Sequence, residues 1–233
     1  MRILGIESSS LVASVAVVED EVMTAEYTVN FKRTHSQTLL PMLDEIVKMV
    51  DLDLGTIDAI AVSGGPGSFT GLRIGSATGK GLGLALKKPL ISVPTVDAMA
   101  YNLYGSAYTV CPIMDARRNQ VYTGIYDNRT GFSVIKEQCA MDIEELAEEL
   151  NAAGQKVIFL GDGVPVYKKQ IQQKMTVPFL FAPAHLNRQR AAAVAALGCK
   201  YYEEGKTLTA AEHAPVYLRK PQAEREREEY LSK

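Results

Sequence analysis

ILGIESSSLVASVAVVED, residues 3–20, and VCPIMDARRNQVYTGIYD, residues 110–127, follow one pattern. Each is an apolar, largely β-branched run, then a polar turn, then a second such run that stops at an aspartate, Asp20 or Asp127. Apolar runs on either side of a short polar turn predict two antiparallel strands joined as a hairpin. A third strand follows each pair, over 22–30 with Val22, Tyr27, Thr28 and Val29 and over 132–135. Further out, Leu39, Leu43, Ile46, Val47 and Val50 recur at helical spacing. Pro41 is expected to bend that helix or to mark its first turns. A strand over 57–62, a glycine-rich loop and a long helix over 72–86 complete the first copy. In the second copy a Glu- and Leu-rich helix over 143–150, a strand over 157–160, the tight turn Gly161-Asp162-Gly163 and a helix over 164–174 take the same places.

Each copy therefore reads βββαβα, and the two are offset by about 100 residues. The duplication predicts an α/β protein of two tandem ribonuclease H-like lobes, the architecture of the actin, sugar kinase and Hsp70 superfamily. Gly105-Ser106 interrupt the pattern and set the boundary. The first lobe is then 1–105 and carries the candidate dimer helices. The second is 106–233, with an Ala-rich helix over 187–204 and a charged tail from Arg219 to Lys233.

A chain of 233 residues has room for two such lobes, and its 47% hydrophobic content supplies a core without disulfides or metals. The net charge of −2, with no basic run longer than two residues, disfavours a protein that grips tRNA by itself, because phosphate contacts dominate such affinity. Cys111, Cys139 and Cys199 form neither a CxxC pair nor a zinc spacing, and read as scattered reduced thiols. The apolar run Ile3–Ile6 is too short for a signal peptide, and no stretch approaches the roughly 18 to 20 apolar residues that span a bilayer. A cytoplasmic protein without membrane contact is expected.

Three segments carry candidate chemistry. Glu7, Ser8 and Ser9 begin the first hairpin turn, where nucleotide-binding members of this architecture face a phosphate. The plainer reading is a turn built of turn-forming residues. VSGGPGSFTGLRIG, 62–75, is flexible at Gly64, Gly65 and Gly67 and can cap the next helix through Ser68 or Thr70. It lacks the Lys-Ser/Thr ending of a P-loop and is not GxGxxG. In that helix Gly71, Gly75, Gly79 and Gly83 stand four apart, which makes a slanted groove at about 1 kcal/mol per interior glycine. The groove either packs on the protein's own sheet or receives a helix of another chain. The second reading leads to a partner interface of Leu39, Met42, Leu43, Ile46, Gly71, Leu72, Gly75, Gly79 and Gly83. Asp115-Ala116-Arg117-Arg118-Asn119 is the second hairpin turn, either an anion site or a solvated turn. His35, His185 and His213 are isolated, with a surface or capping role expected, and no catalytic or metal-binding constellation arises from spacing.

RILGIESSS (2–10), THSQTLLPML (34–43), SGGPGSFTGLRIG (63–75), SVPTVDAMA (92–100), MDARRNQVYTGIY (114–126), FLGDG (159–163) and PVYLRKPQAE (215–224) together resemble the TsaB family, also called YeaZ, over nearly the whole chain. The glycine-rich segment is also similar to the related catalytic subunit TsaD. TsaD-like proteins carry an HxxxH metal motif after the strand that follows the glycine helix, and here Thr95 and Met99 stand in the two histidine positions. Neither is a good ligand for catalytic iron or zinc. The resemblance therefore implies a non-catalytic scaffold with no metal and no cofactor. It implies pairing with a TsaD-like catalytic subunit and a TsaE-like ATPase, and a homodimer in the absence of TsaD. It implies contact with tRNA only through the complex, which forms threonylcarbamoyladenosine at position 37 of ANN-reading tRNAs. The alternative is an ATP- or metal-dependent enzyme, transferase or protease-like, acting on its own.

Overall fold

In the computed structural model, which describes residues 1–32 and 34–219, two five-stranded mixed sheets share one topology. The first sheet holds β1 (Arg2–Glu7), β2 (Val12–Glu19), β3 (Val22–Asn30), β4 (Ala59–Gly65) and β5 (Leu90–Pro94) in the order β3-β2-β1-β4-β5. The second holds β6 (Thr109–Asp115), β7 (Gln120–Asp127), β8 (Ser133–Asp142), β9 (Val157–Leu160) and β10 (Phe179–Phe181) in the order β10-β9-β6-β7-β8, the same order read from the other edge. In each, three antiparallel strands lead and two parallel strands follow. The duplicated ribonuclease H-like lobes expected from the sequence are present.

Helices α1 (His35–Met49) and α2 (Phe69–Leu86) cover one face of the first sheet. Leu39, Met42, Leu43 and Ile46 of α1 point into a core with Leu4, Val15, Ile60 and Val62. Ser68 caps α2, its hydroxyl accepting from the Gly71 N–H at 3.3 Å, so the helix starts at Phe69 rather than at residue 72. It ends on Lys87 in the left-handed conformation, φ 57°. In the second lobe α4 (Ile143–Ala153), capped by Asp142, and α5 (Val164–Lys174) pack on Cys111, Ile113 and Phe159.

Two expectations about faces are corrected. Gly71, Gly75, Gly79 and Gly83 of α2 face the first sheet and its β1–β2 turn. A Cβ on Gly71 would stand 2.1 Å from the Ser8 carbonyl oxygen, on Gly75 2.2 Å from Ser8 Oγ, on Gly79 2.6 Å from Val62 Cγ2 and on Gly83 2.5 Å from Leu90 Cδ1. The slanted groove thus seats the strands beneath it, and Leu72 is buried with it. All nine residues expected at a partner interface are buried in the first lobe. The second correction concerns α6 (Ala191–Glu203), grouped by sequence order with the second lobe. It lies on the other face of the first sheet, with Val194, Ala195 and Leu197 against Ile3, Ala61 and Ile91. Contact is close enough that a Cβ on Gly5 would meet the Ala191 carbonyl at 2.4 Å. The charged tail beyond Arg219 lies outside the described residues.

The lobes meet at α3 (Thr95–Tyr101), whose Val96, Met99 and Ala100 pack against Val110, Met114 and Tyr126. Asp97 is the polar centre of that junction. It accepts the Tyr126 hydroxyl at 2.6 Å from the second lobe and the Tyr201 hydroxyl at 3.3 Å from α6. Burial raises its carboxyl above the usual range, against the two tyrosine hydrogen bonds that lower it.

Candidate functional site

The candidate site is the cleft between the lobes, about 650 Å³, bordered by Ser9, Ser10, His35, Gly67, Ser68, Thr70, Asp115, Arg117, Tyr122, Asp162 and Arg219. The β1–β2 turn supplies one wall. Within it, Glu7 Oε1 accepts the Ser9 amide at 2.5 Å and the Ser9 hydroxyl at 2.6 Å, while its buried Oε2 has no hydrogen-bond partner. Burial pushes the Glu7 carboxyl up to about 7, and the Ser9 bonds only partly oppose this.

The loop before α2 lies flush on that turn. Ser68 N–H donates to the Ser9 carbonyl at 2.6 Å, and Ser8 Oγ donates to the Gly71 carbonyl at 2.9 Å. A Cβ on Gly67 would stand 2.3 Å from the Ser9 oxygen. Glu7 and Ser8 are sealed beneath this backbone, and Ser9, Ser10 and Leu11 reach the cleft wall. Residues 67–71 thus pack directly on the turn that the sequence reading expected to face a phosphate.

The opposite wall is the β6–β7 turn. Arg117, Arg118 and Asn119 all have positive φ, 62°, 54° and 61°. Such residues cost free energy and persist only where their surroundings fix them. Here Asp115 Oδ1 accepts the Arg117 amide at 2.8 Å and the Tyr167 hydroxyl at 2.9 Å. Asn119 donates to the Asp142 carboxylate at 3.0 and 3.2 Å and accepts from Gln170 at 2.9 Å. Asp162, on the turn after β9, accepts from Gln189 at 3.0 Å, and burial raises its carboxyl.

The two positions that the sequence aligns with metal histidines do not fit a metal. Thr95 is buried, and its Oγ1 accepts the Gly65 amide at 3.2 Å. Met99 is buried in the apolar junction. Among the described residues no group of three His, Cys, Asp or Glu is placed to hold a metal ion. His213 departs from the surface role expected for it. It is buried, with Nδ1 3.0 Å from Ser76 Oγ, and its Nε2 has no hydrogen-bond partner. Neither residue of this hydroxyl–imidazole pair borders the cleft. Sequence reading also missed Tyr217 and Arg219 at the cleft mouth, because an irregular segment has no period to read. No helix among the described residues is long and apolar enough to cross a membrane.

The family model of TsaD, tRNA N6-adenosine threonylcarbamoyltransferase, matches residues 25–227. The tRNA threonylcarbamoyladenosine biosynthesis protein TsaB of Bacillus subtilis (strain 168) is 30% identical over 226 residues, which cover 96% of each chain. That of Escherichia coli (strain K12) is 31% identical over 224 residues, 94% of this chain and 95% of the relative. Among solved structures, the YeaZ of Pseudomonas aeruginosa superposes with a TM-score of 0.79 at 27% identity, covering 93% of this chain and 99% of that one. A second structure from that organism, described as similar to peptidase YEAZ, superposes with a TM-score of 0.80 at 27% identity and covers 94% and 99%.

Proposed function

This chain belongs to the TsaB family and serves threonylcarbamoyladenosine formation in tRNA, and we propose that it does so as a non-catalytic scaffold. The observation that carries the proposal is the direct packing of residues 67–71 on the turn expected to face a phosphate. Buried Thr95 and Met99 at the two metal positions agree with it. A fold whose chemical positions are occupied by its own atoms keeps its shape as its function.

The partner is a TsaD-like catalytic subunit, with a TsaE-like ATPase joining the assembly and tRNA reached only through it, in the cytoplasm. Because the inward faces of α1 and α2 are spent on the core, the docking surface is their outward face. On α1 this face carries Leu40, 52% exposed, beside Pro41 and Asp44. On α2 it carries Ala77, Gly81, Ala85 and Leu84, the last 71% exposed. Small side chains there allow a partner helix to approach closely. In the absence of the catalytic subunit a second copy of this chain takes the same face.

The test is reconstitution. The isolated chain should yield no modified adenosine from threonylcarbamoyl adenylate and tRNA, and adding it to the TsaD-like subunit should produce or strengthen the activity. Modified tRNA formed by this chain alone would establish the enzyme reading instead. Leu84→Asp should abolish co-purification with the TsaD-like subunit while leaving the melting temperature unchanged.

A further inference from the structure

After α6 the chain turns back across both lobes. Leu208 bridges to Leu90 on the edge of β5, each amide donating to the other's carbonyl at 2.8 Å. His213 then docks on Ser76, on the flank of α2. Val216 donates its amide to the Gly64 carbonyl at 2.7 Å. Its own carbonyl lies so close to Gly65, φ 110°, that a Cβ there would stand 2.2 Å away, so only glycine admits this crossing. Tyr217 packs on Phe69 with ring centroids 4.8 Å apart, and Arg73 Nε donates to its hydroxyl at 3.3 Å. Arg219 finally reaches the other lobe, donating from Nη1 to the Ala116 carbonyl in the β6–β7 turn at 2.6 Å. Tyr217, Leu218 and Arg219 stand on the cleft border together with Ser9, Ser68 and Asp115.

Beyond Ala210 and the buried His213, this crossing is largely exposed. Val216 is 48% exposed and Tyr217 38% exposed. The docked His213 leaves Nε2 without a partner. Segments with few buried apolar contacts and exposed backbone bonds open locally at a free energy far below that of global unfolding.

We propose that residues 208–219 are a releasable strap. Docked, the strap ties the β6–β7 turn to α2 along one border of the interlobe cleft. Released, it frees the strained turn at Arg117–Asn119 from the Arg219 bond to the Ala116 carbonyl. The strap is a property of this chain, independent of which partner the α1/α2 face takes.

Hydrogen exchange on the full chain tests it, comparing wild type with Arg219→Ala and Tyr217→Ala. Both substitutions fall on partly exposed side chains outside the core. Arg219→Ala should speed exchange over 114–119 by about fivefold or more, and Tyr217→Ala should do so over both 64–70 and 114–119. Exchange in α4 should be unchanged in both. Unaltered exchange over 114–119 in both variants overturns the tie between the lobes. A rise spread evenly through α4 overturns it too, since the segment would then be a part of the global fold that does not open alone.

Discussion

Gly79→Ala should destabilise this protein although it improves the helix that carries it. In an exposed helix interior the exchange gains about 1 kcal/mol. Here the new Cβ would stand 2.6 Å from Val62 Cγ2 and 3.5 Å from Leu90 Cδ2. Val62 is fully buried in β4, and a β-branched side chain in a strand has little rotamer freedom with which to withdraw. The helix must therefore lift by roughly 1 Å to restore ordinary carbon–carbon contact. Lifting loosens the seating at Gly75 and Gly83 and stretches the 2.9 Å bond from Ser8 Oγ to the Gly71 carbonyl. Overpacking of this kind costs about 1–3 kcal/mol, so after the helix gain the net loss is up to about 2 kcal/mol. For a chain of this length that lowers the melting temperature by up to about 8 °C. Gly81 is the control, because a Cβ there meets nothing within 4 Å. Gly81→Ala should raise the melting temperature by about 2–4 °C. Thermal denaturation followed by circular dichroism reads both. If Gly79→Ala melts as high as Gly81→Ala, the glycine stripe does not seat the sheet, and the outward face of α2 ceases to be the free one.

Tyr126→Phe should cost about 1.5–3 kcal/mol in urea unfolding, because it leaves one oxygen of the buried Asp97 carboxyl without its donor; an unchanged midpoint would mean that the interlobe junction is purely apolar. Glu7 binds its proton more tightly folded than unfolded, so its contribution is present below its ordinary value of 4.5 and is lost as pH rises through about 7. Glu7→Gln should therefore flatten the fall in stability between those pH values, a difference of at most about 3 kcal/mol, and a variant with the wild-type pH profile would show that Glu7 is not the group responsible. Filter binding of tRNA to the isolated chain should show no submicromolar affinity at about 150 mM salt, since a net charge of −2 leaves no electrostatic surplus for phosphates; tight binding that falls steeply between about 50 and 200 mM salt would assign the chain a direct role on tRNA.

The order of elements along the chain and the helix type were legible because burial on one face imposes a period. The helix expected over 164–174 coincides with α5, and the hairpins at 3–20 and 110–127 stand as β1–β2 and β6–β7. The third strand of the second lobe runs to Asp142, far past the expected 135, because β8 is an edge strand whose Lys136, Glu137 and Gln138 hide the usual apolar run. The face of the glycine stripe was not legible at all. Glycines four apart make the same groove whether a sheet or a foreign helix fills it, and spacing carries no information about which. Nor does chain order tell which sheet α6 covers, since Ala191–Glu203 follows the second lobe but returns to the first.

The same glycines decide what became of the candidate site. In a phosphate-binding turn, glycine lets backbone amides approach a ligand without a Cβ in the way. Here Gly67 and Gly71 let the backbone of 67–71 approach the Glu7-Ser8-Ser9 turn instead, and the Ser8 hydroxyl spends its hydrogen bond on the Gly71 carbonyl. Glu7 records the exchange, for one of its oxygens is satisfied by Ser9 while the other is buried with no partner. Burial away from water makes the charged carboxylate costly, and the pKa near 7 is that cost expressed as proton affinity. A turn kept for packing alone has no need of a carboxylate there, and Glu7→Gln would keep its shape while removing the charge. If the variant is more stable than wild type at pH 8 and still supports tRNA modification in the reconstituted assembly, the turn is architectural. If it is more stable but inactive, the carboxylate acts in the assembly, and the scaffold contributes a charged group as well as a shape.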